Sequence, residues 1–419
     1  MKKYLNRLIE TTIKCELEAL GCVAIEGPKW CGKSTTGERF AKTVVKLQNP
    51  ITFKQYAAFA ATSKENLLSA EKPLMFDEWQ KIPDIWDFIR ADIDETGLAG
   101  QYILTGSAKP LEDQNRHRGT GRISKITMRP MSLWESGDST GEISLKDLFD
   151  GKDNVSGKSK LSLENLTFVT CRGGWPEAVI RPGQALTLTA DYYKSLTTED
   201  IKGVDGIRRN PKRAQAVLRA YARNISTYAA NTTIQTDVAA NDSTLDIKTF
   251  ASYVSAFEKL YVIENISAWS PKLRSKSIIR SANKRQFVDP SIAAIALGAK
   301  PHDFIKDLNT FGFFFESLCD RDLRIYAQCL EGGLYHYNDG DGLEADAVIH
   351  LNDGRWGAAE IKVGGNLIDE AAKNLLKLKN KVDLSQVKEP SFLMVLSGVP
   401  NAYKRPDGVL VVPIGCLKD

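Results

Sequence analysis

A chain of 419 residues is longer than one hydrophobic core usually organises, so two or three domains are expected, and its 42% hydrophobic and 26% charged residues are those of an ordinary globular protein. The 56 Lys and Arg against 52 Asp and Glu leave a formal charge of +4, a balance that neither requires nor excludes nucleic acid. Seven scattered Cys without a CxxC pair indicate neither a disulfide framework nor a zinc site, no apolar run approaches the roughly 20 residues that cross a bilayer, and the basic start Met1-Lys2-Lys3 lacks an apolar signal region, so a reduced, cytoplasmic protein without membrane contact is expected.

In chain order, Leu5, Leu8, Ile9, Ile13 and Leu17 fall at helical spacing and predict a first amphipathic helix. Cys22-Val23-Ala24-Ile25-Glu26 reads as a buried strand running into a glycine loop, and helical periodicity resumes over Gly37 to Leu47 through Phe40, Val44 and Val45. Leu74-Met75-Phe76 and Tyr102-Ile103-Leu104 are short apolar runs of the kind that form parallel strands covered on both faces, so the first part of the chain is read as α/β. Residues 140 to 165 are polar and turn-rich and are taken as a linker or surface excursion. From about 190 to 300 the pattern is mainly helical, with Ala214 to Tyr228 and Thr249 to Leu260 followed by the strand-like Tyr261-Val262-Ile263, which suggests a winged-helix-like unit. The final third alternates: a helix around Phe311 to Asp322, strands near Ala345 to His350 and Trp356 to Ile361, a helix from Ile368 to Leu378, and a strand at Phe392 to Leu396.

The glycine loop Gly27-Pro28-Lys29-Trp30-Cys31-Gly32-Lys33-Ser34-Thr35 fits G-x-x-x-x-G-K-[ST], in which backbone N–H groups turn inward to cradle phosphates at a helix N-terminus. Lys33 is then expected on the β- and γ-phosphates and the Ser34 hydroxyl on Mg²⁺, so ATP and Mg²⁺ are the expected cofactors. Asp77-Glu78, at the end of an apolar run, places one carboxylate to hold the magnesium and the other to orient the attacking water. Thr105 or Ser107 in Leu104-Thr105-Gly106-Ser107 can contact the γ-phosphate, and Arg122, in the basic loop Arg116 to Arg122, is the candidate arginine finger for its own site or a neighbour's in a homo-oligomer. Turn chemistry alone also accounts for Thr-Gly-Ser, and a solvated loop for the arginines.

These residues resemble the AAA-type ATPases of bacteria and archaea whose C-terminal half is the domain of unknown function DUF4143. The resemblance runs along the chain through Ile25-Glu26-Gly27-Pro28-Lys29, Phe76-Asp77-Glu78-Trp79-Gln80, Leu104-Thr105-Gly106-Ser107, Gly119-Thr120-Gly121-Arg122 with Met128-Arg129-Pro130-Met131-Ser132-Leu133, Gly173-Gly174-Trp175-Pro176-Glu177-Ala178 and Phe287-Val288-Asp289-Pro290-Ser291. It implies a P-loop ATPase domain with a parallel sheet (1–145), a connecting segment (146–190), a winged-helix-like middle domain (191–298) and a restriction-endonuclease-like α/β C-terminal domain (299–419).

In that last domain Glu316 lies on a helix, Asp346 on a strand and Glu360-Ile361-Lys362 on the next, where alternation puts Glu360 and Lys362 on one face. Such a group can bind Mg²⁺ through oxygens and activate water for phosphodiester cleavage, and it looks like the D…ExK core of that nuclease superfamily. A Glu-x-Lys strand is also a common surface ion pair. Basic residues gather at Lys202, Arg208, Arg209, Lys212 and Arg213 and again at Lys272, Arg274, Lys276, Arg280, Lys284 and Arg285, where they can neutralise a DNA or RNA backbone or remain solvated. Two functions follow as expectations: an ATP-hydrolysing protein whose nuclease-like domain acts on or binds nucleic acid, or an ATP-dependent switch that binds a protein or DNA partner without cutting.

Overall fold

A computed structural model of the chain describes residues 4–107, 119–240, 242–270, 282–339, 342–383 and 387–419. The N-terminal part holds five parallel strands, β1 (Cys22–Glu26), β2 (Thr43–Lys46), β3 (Leu74–Asp77), β4 (Tyr102–Gly106) and β5 (Ile123–Thr127), in the order β2-β3-β4-β1-β5. Every residue of β1, β3 and β4 is buried, as parallel strands covered on both faces require. One face carries Ala24, Phe76 and Leu104 against Ile85, Ile89 and Ile93 of the helix Ile85–Thr96. The other carries Val23, Ile25, Met75 and Ile103 against Ile9, Ile13 and Leu17, one stripe of the helix Ile9–Ala19.

The helix expected over Gly37 to Leu47 is replaced by a short helix, Lys33–Gly37, and the edge strand β2. Val44 and Val45 are β-branched and half-buried to buried, and pairing with Met75 and Phe76 of β3 outweighs a helical spacing that rests on three residues.

Beyond β5, β6 (Ile143–Ser144) and β7 (Gly157–Lys158) precede a helical region that includes Leu163–Arg172, Ala185–Ser195, Pro211–Arg223 and Ile247–Lys259. The polar stretch after residue 140 is tied to the C-terminus: β6 pairs in parallel with β14 (Leu417–Lys418), and β7 pairs with β12 (Asn401–Lys404). Among the described residues Tyr261-Val262-Ile263 forms no ladder of its own; single bridges join Ile263 to Phe287 and Ile266 to Lys284.

The C-terminal part is a helix, Leu308–Cys329, three antiparallel strands β8 (Gly332–Asn338), β9 (Glu344–Leu351) and β10 (Trp356–Lys362), a second helix, Ile368–Lys381, then β11 (Leu393–Ser397) and β13 (Leu410–Pro413). The seven strands run β7-β12-β13-β11-β10-β9-β8, with β11 parallel to both β10 and β13. Alternation along the strands sends Val348, Ala358 and Val395 to Leu375 and Leu378 of the second helix. Ala347, Ala359 and Met394 face the long helix, whose Phe314, Phe315 and Leu318 are buried. Among the described residues no helix is long and apolar enough to cross a membrane.

Candidate functional sites

The loop after β1 is shaped by its glycines. Gly27 (φ 152°) lies so close to the chain after β5 that a Cβ would sit 2.1 Å from the Met128 carbonyl oxygen, and Gly32 takes φ 104°. Trp30 also takes a left-handed backbone (φ 68°), the kind of local strain that collects at binding loops. Lys33 is 5% exposed and donates to the Gly27 and Pro28 carbonyls at 2.9 and 2.7 Å, so its ammonium sits inside the ring of the loop. Pro28 and Cys31 are buried, whereas Lys29, Trp30 and Thr35 are exposed.

Parallel register sets Asp77 of β3 opposite Thr105 of β4. The Thr105 hydroxyl donates to Asp77 Oδ1 at 2.6 Å, and the Ser34 hydroxyl donates to the same oxygen at 2.6 Å. A buried carboxylate with two hydroxyls on one oxygen is a hard-oxygen donor set, and Ser34 with Asp77 fits Mg²⁺. Glu78 follows with a left-handed backbone (φ 59°) and accepts from Ser107 Oγ at 3.0 Å and from the Gln80 amide. Thus Gly27 to Ser34, Asp77, Glu78, Thr105 and Ser107 gather at the carboxyl end of the sheet.

Arg122 does not join them. Its carbonyl accepts from Cys22 N at the start of β1, a strand length of about 16 Å from the loop. Its guanidinium pairs in the open with Asp94 at 2.6 Å. This placement keeps Arg122 away from its own loop, and Arg116 and Arg118 lie outside the described residues.

Other residues brace the loop and were missed in the sequence. Arg7, 6% exposed, donates to the Cys31 carbonyl at 2.6 Å and the Arg129 carbonyl at 2.7 Å and pairs with Glu135 at 2.9 Å. Lys29 pairs with Asp200 at 2.5 Å, and the Trp30 ring lies 5.8 Å from Tyr192, which in turn lies 4.3 Å from Trp175. The helical region therefore touches the tip of the loop, and Asp200 closes a π-helical turn, Leu196–Asp200, a form that recurs at functional sites.

A second polar centre lies in the C-terminal part. Lys362 Nζ reaches Asp346 Oδ2 at 3.0 Å and Glu360 Oε2 at 2.8 Å, and Ile361 N donates to Asp346 at 2.7 Å. Asp346, Glu360 and Lys362 line a cavity of about 500 Å³ with Glu344, Lys377 and Lys381. Burial, then the Asp346 charge, pushes Glu360 up to about 8. Asp346 is lowered: burial opposes its charge, and Lys362 and Lys284 outweigh it. Glu316 stands behind this group and is held instead by Lys284, at 2.8 Å. Burial, opposed by Lys284, raises Glu316 to about 8. Asp346 and Glu360 fit a divalent ion through two carboxylates, but among the described residues no cluster of three or more His, Cys, Asp or Glu side chains is arranged to hold one.

Of the basic groups, Lys284 is fully buried rather than exposed, Arg209 is buried on Asp205 at 2.6 Å and Arg213 pairs with Asp242 at 2.6 Å. Lys202, Arg208 and Lys212 are exposed, and Lys272, Arg274, Lys276 and Arg280 lie outside the described residues.

Family models match three stretches of the chain: an AAA domain over residues 21–136, the domain of unknown function DUF8612 over 163–303 and the domain of unknown function DUF4143 over 311–417. No curated protein matches. Among solved structures, the Walker-type ATPase Paby2304 of Pyrococcus abyssi is 14% identical, with a TM-score of 0.43 over 70% of this chain and 96% of that one. RuvB of Thermotoga maritima is 15% identical, with a TM-score of 0.28 over 61% of this chain and 88% of that one.

Proposed function

We propose that this chain, which joins an AAA-type P-loop ATPase domain to a C-terminal DUF4143 domain, binds ATP with Mg²⁺ at Gly27 to Thr35, hydrolyses it, and uses its nuclease-like C-terminal centre on nucleic acid. The observation that carries the ATP reading is the convergence of the Ser34 and Thr105 hydroxyls on one Asp77 oxygen at 2.6 Å beside the buried Lys33. Bound Mg²⁺ would neutralise triphosphate charge, with Ser34 and Asp77 as its protein ligands. The loop N–H groups and Lys33 hold the phosphates, Thr105 and Ser107 reach toward the γ-phosphate, and Glu78 aims water as its hydrogen bonds to Gln80 and Ser107 give way.

For the C-terminal part, the helix, three antiparallel strands, helix and parallel strand that present Asp346, Glu360 and Lys362 to one cavity support a restriction-endonuclease-like reading. Asp346 and Glu360 would hold a divalent ion, Lys362 would stabilise charge developing on a phosphodiester, and Lys377 and Lys381 would meet the backbone. The middle region, 191–298, is read as winged-helix-like, between a connecting segment 146–190 and a C-terminal domain 299–419. The test is incubation of the full chain with Mg²⁺ or Mn²⁺, ATP and labelled DNA or RNA. Cutting that is lost in Lys362→Ala and kept in a surface control supports this reading. Nucleic-acid binding without cutting on any substrate supports instead an ATP-dependent switch.

A further inference from the structure

The inner half of the C-terminal centre contains a cation that belongs to neither of its strands. Lys284 comes from the segment between residues 282 and 289, within the stretch that matches DUF8612, and crosses into the part that matches DUF4143. Its side chain is 1% exposed. Its Nζ lies 2.8 Å from Glu316 Oε1, 2.7 Å from Asp320 Oδ2 and 2.6 Å from the Asp346 carbonyl oxygen, so all three ammonium N–H groups have an acceptor. A buried ammonium is tolerated only when paired and fully hydrogen-bonded, and both conditions hold. Gln286, two residues along, donates from its amide to Asp320 Oδ2 at 2.8 Å, so one short segment secures that carboxylate twice.

This arrangement divides the carboxylates into two groups. Glu316 and Asp320 face Lys284, whereas Asp346 Oδ2 and Glu360 face Lys362 and the open cavity. Glu316 and Glu360 therefore have different counter-ions, although both belong to one expected metal-binding set. We propose that Lys284 is a permanent internal cation of this centre, supplied from the middle region, so that Glu316 and Asp320 are engaged from within and a divalent ion is taken by Asp346 and Glu360 alone. This rests on the reading of the centre as a metal site.

The experiment is a titration of the nucleotide-free full chain with Mn²⁺, in which free Mn²⁺ is counted by electron paramagnetic resonance. In otherwise native protein, Glu360→Gln weakens binding by about tenfold or more, whereas Glu316→Gln changes it by less than about threefold. Lys284→Arg, which keeps the charge, binds Mn²⁺ as the native chain does. Lys284→Gln, with folding checked by circular dichroism, frees Glu316 and tightens binding by about tenfold or adds a second ion, and the double variant Lys284→Gln/Glu316→Gln loses that gain. Equal losses in Glu316→Gln and Glu360→Gln overturn the internal-cation assignment while leaving the metal site standing. A folded Lys284→Gln chain without any gain overturns it as well. Mn²⁺ binding that ignores Glu360→Gln and Asp346→Asn instead overturns the metal reading itself. If Lys284→Gln does not fold, the comparison of Glu316→Gln with Glu360→Gln decides.

Discussion

Replacing Lys33 by Ala removes the ammonium that lies 2.9 and 2.7 Å from the Gly27 and Pro28 carbonyls. With ATP bound, that ammonium turns from the loop to the phosphates, exchanging neutral carbonyl acceptors for charged oxygens. A hydrogen bond to a charged group contributes about 1.5–3 kcal/mol net, which is about a 10- to 150-fold change in affinity. Ligand present at about 1,000 times its native Kd stabilises the native chain by about 4.1 kcal/mol; for a variant that binds a hundredfold more weakly the same concentration gives about 1.4 kcal/mol. Isothermal titration with a non-hydrolysable ATP analogue and Mg²⁺ measures the first quantity, and denaturant unfolding with and without analogue measures the second. The unliganded variant also loses about 1–3 kcal/mol of stability, because Gly27 and Pro28 are buried and their carbonyls lose this donor. An analogue affinity within threefold of native would refute the phosphate role of Lys33.

Glu78→Gln keeps analogue affinity and lowers steady-state ATP turnover by about a hundredfold or more, since the amide cannot take a proton from water; native turnover in this variant contradicts the assignment. Arg122→Ala leaves hydrolysis unchanged at protein concentrations where the chain is monomeric, because the side chain is a strand length from its own loop. A loss that grows as concentration rises identifies a finger donated to a second copy, and a loss in the monomer contradicts the geometry. His336 is lowered to about 4 by burial and then by the Lys284 charge. Below the ordinary value of 6.5 the unfolded chain binds a proton that the folded chain does not, so this residue's contribution is full above 6.5 and is lost as pH falls toward 4, by up to about 1.4 kcal/mol per pH unit. The stability deficit of His336→Gln relative to native therefore shrinks across that window in urea unfolding, and a constant deficit refutes it.

The phosphate loop was legible in the sequence because its chemistry is local: two glycines, a lysine and a hydroxyl must stand at fixed spacing to turn backbone N–H groups inward. Asp77, Glu78, Thr105 and Ser107 were legible for a related reason, since each closes or follows an apolar strand of a parallel sheet. The strand β2 was not, because Val44 and Val45 satisfy a helical spacing and a strand pattern alike until β3 stands beside them. Lys284 was grouped with a basic cluster that could meet a nucleic-acid backbone or stay solvated, since nothing within its neighbours in the sequence announces Glu316 and Asp320, 32 and 36 positions away. Arg7 was missed for the same reason: its partners at Cys31, Arg129 and Glu135 are brought to it by the fold.

The helix Leu308–Cys329 has 22 residues and so extends about 33 Å. In its middle third Glu316 and Asp320 enter the carboxylate centre, Arg321 grips Asp289, and Asp322 accepts from Leu133 N at 2.9 Å; near its end the Gln328 amide donates to the Thr127 carbonyl at 3.0 Å. Thr127 closes the strand paired with the one that feeds the phosphate loop. A stiff rod anchored in this way cannot shift at its end alone, so a small tilt imposed where the phosphate loop is braced would be carried along it to the acidic groups at its middle.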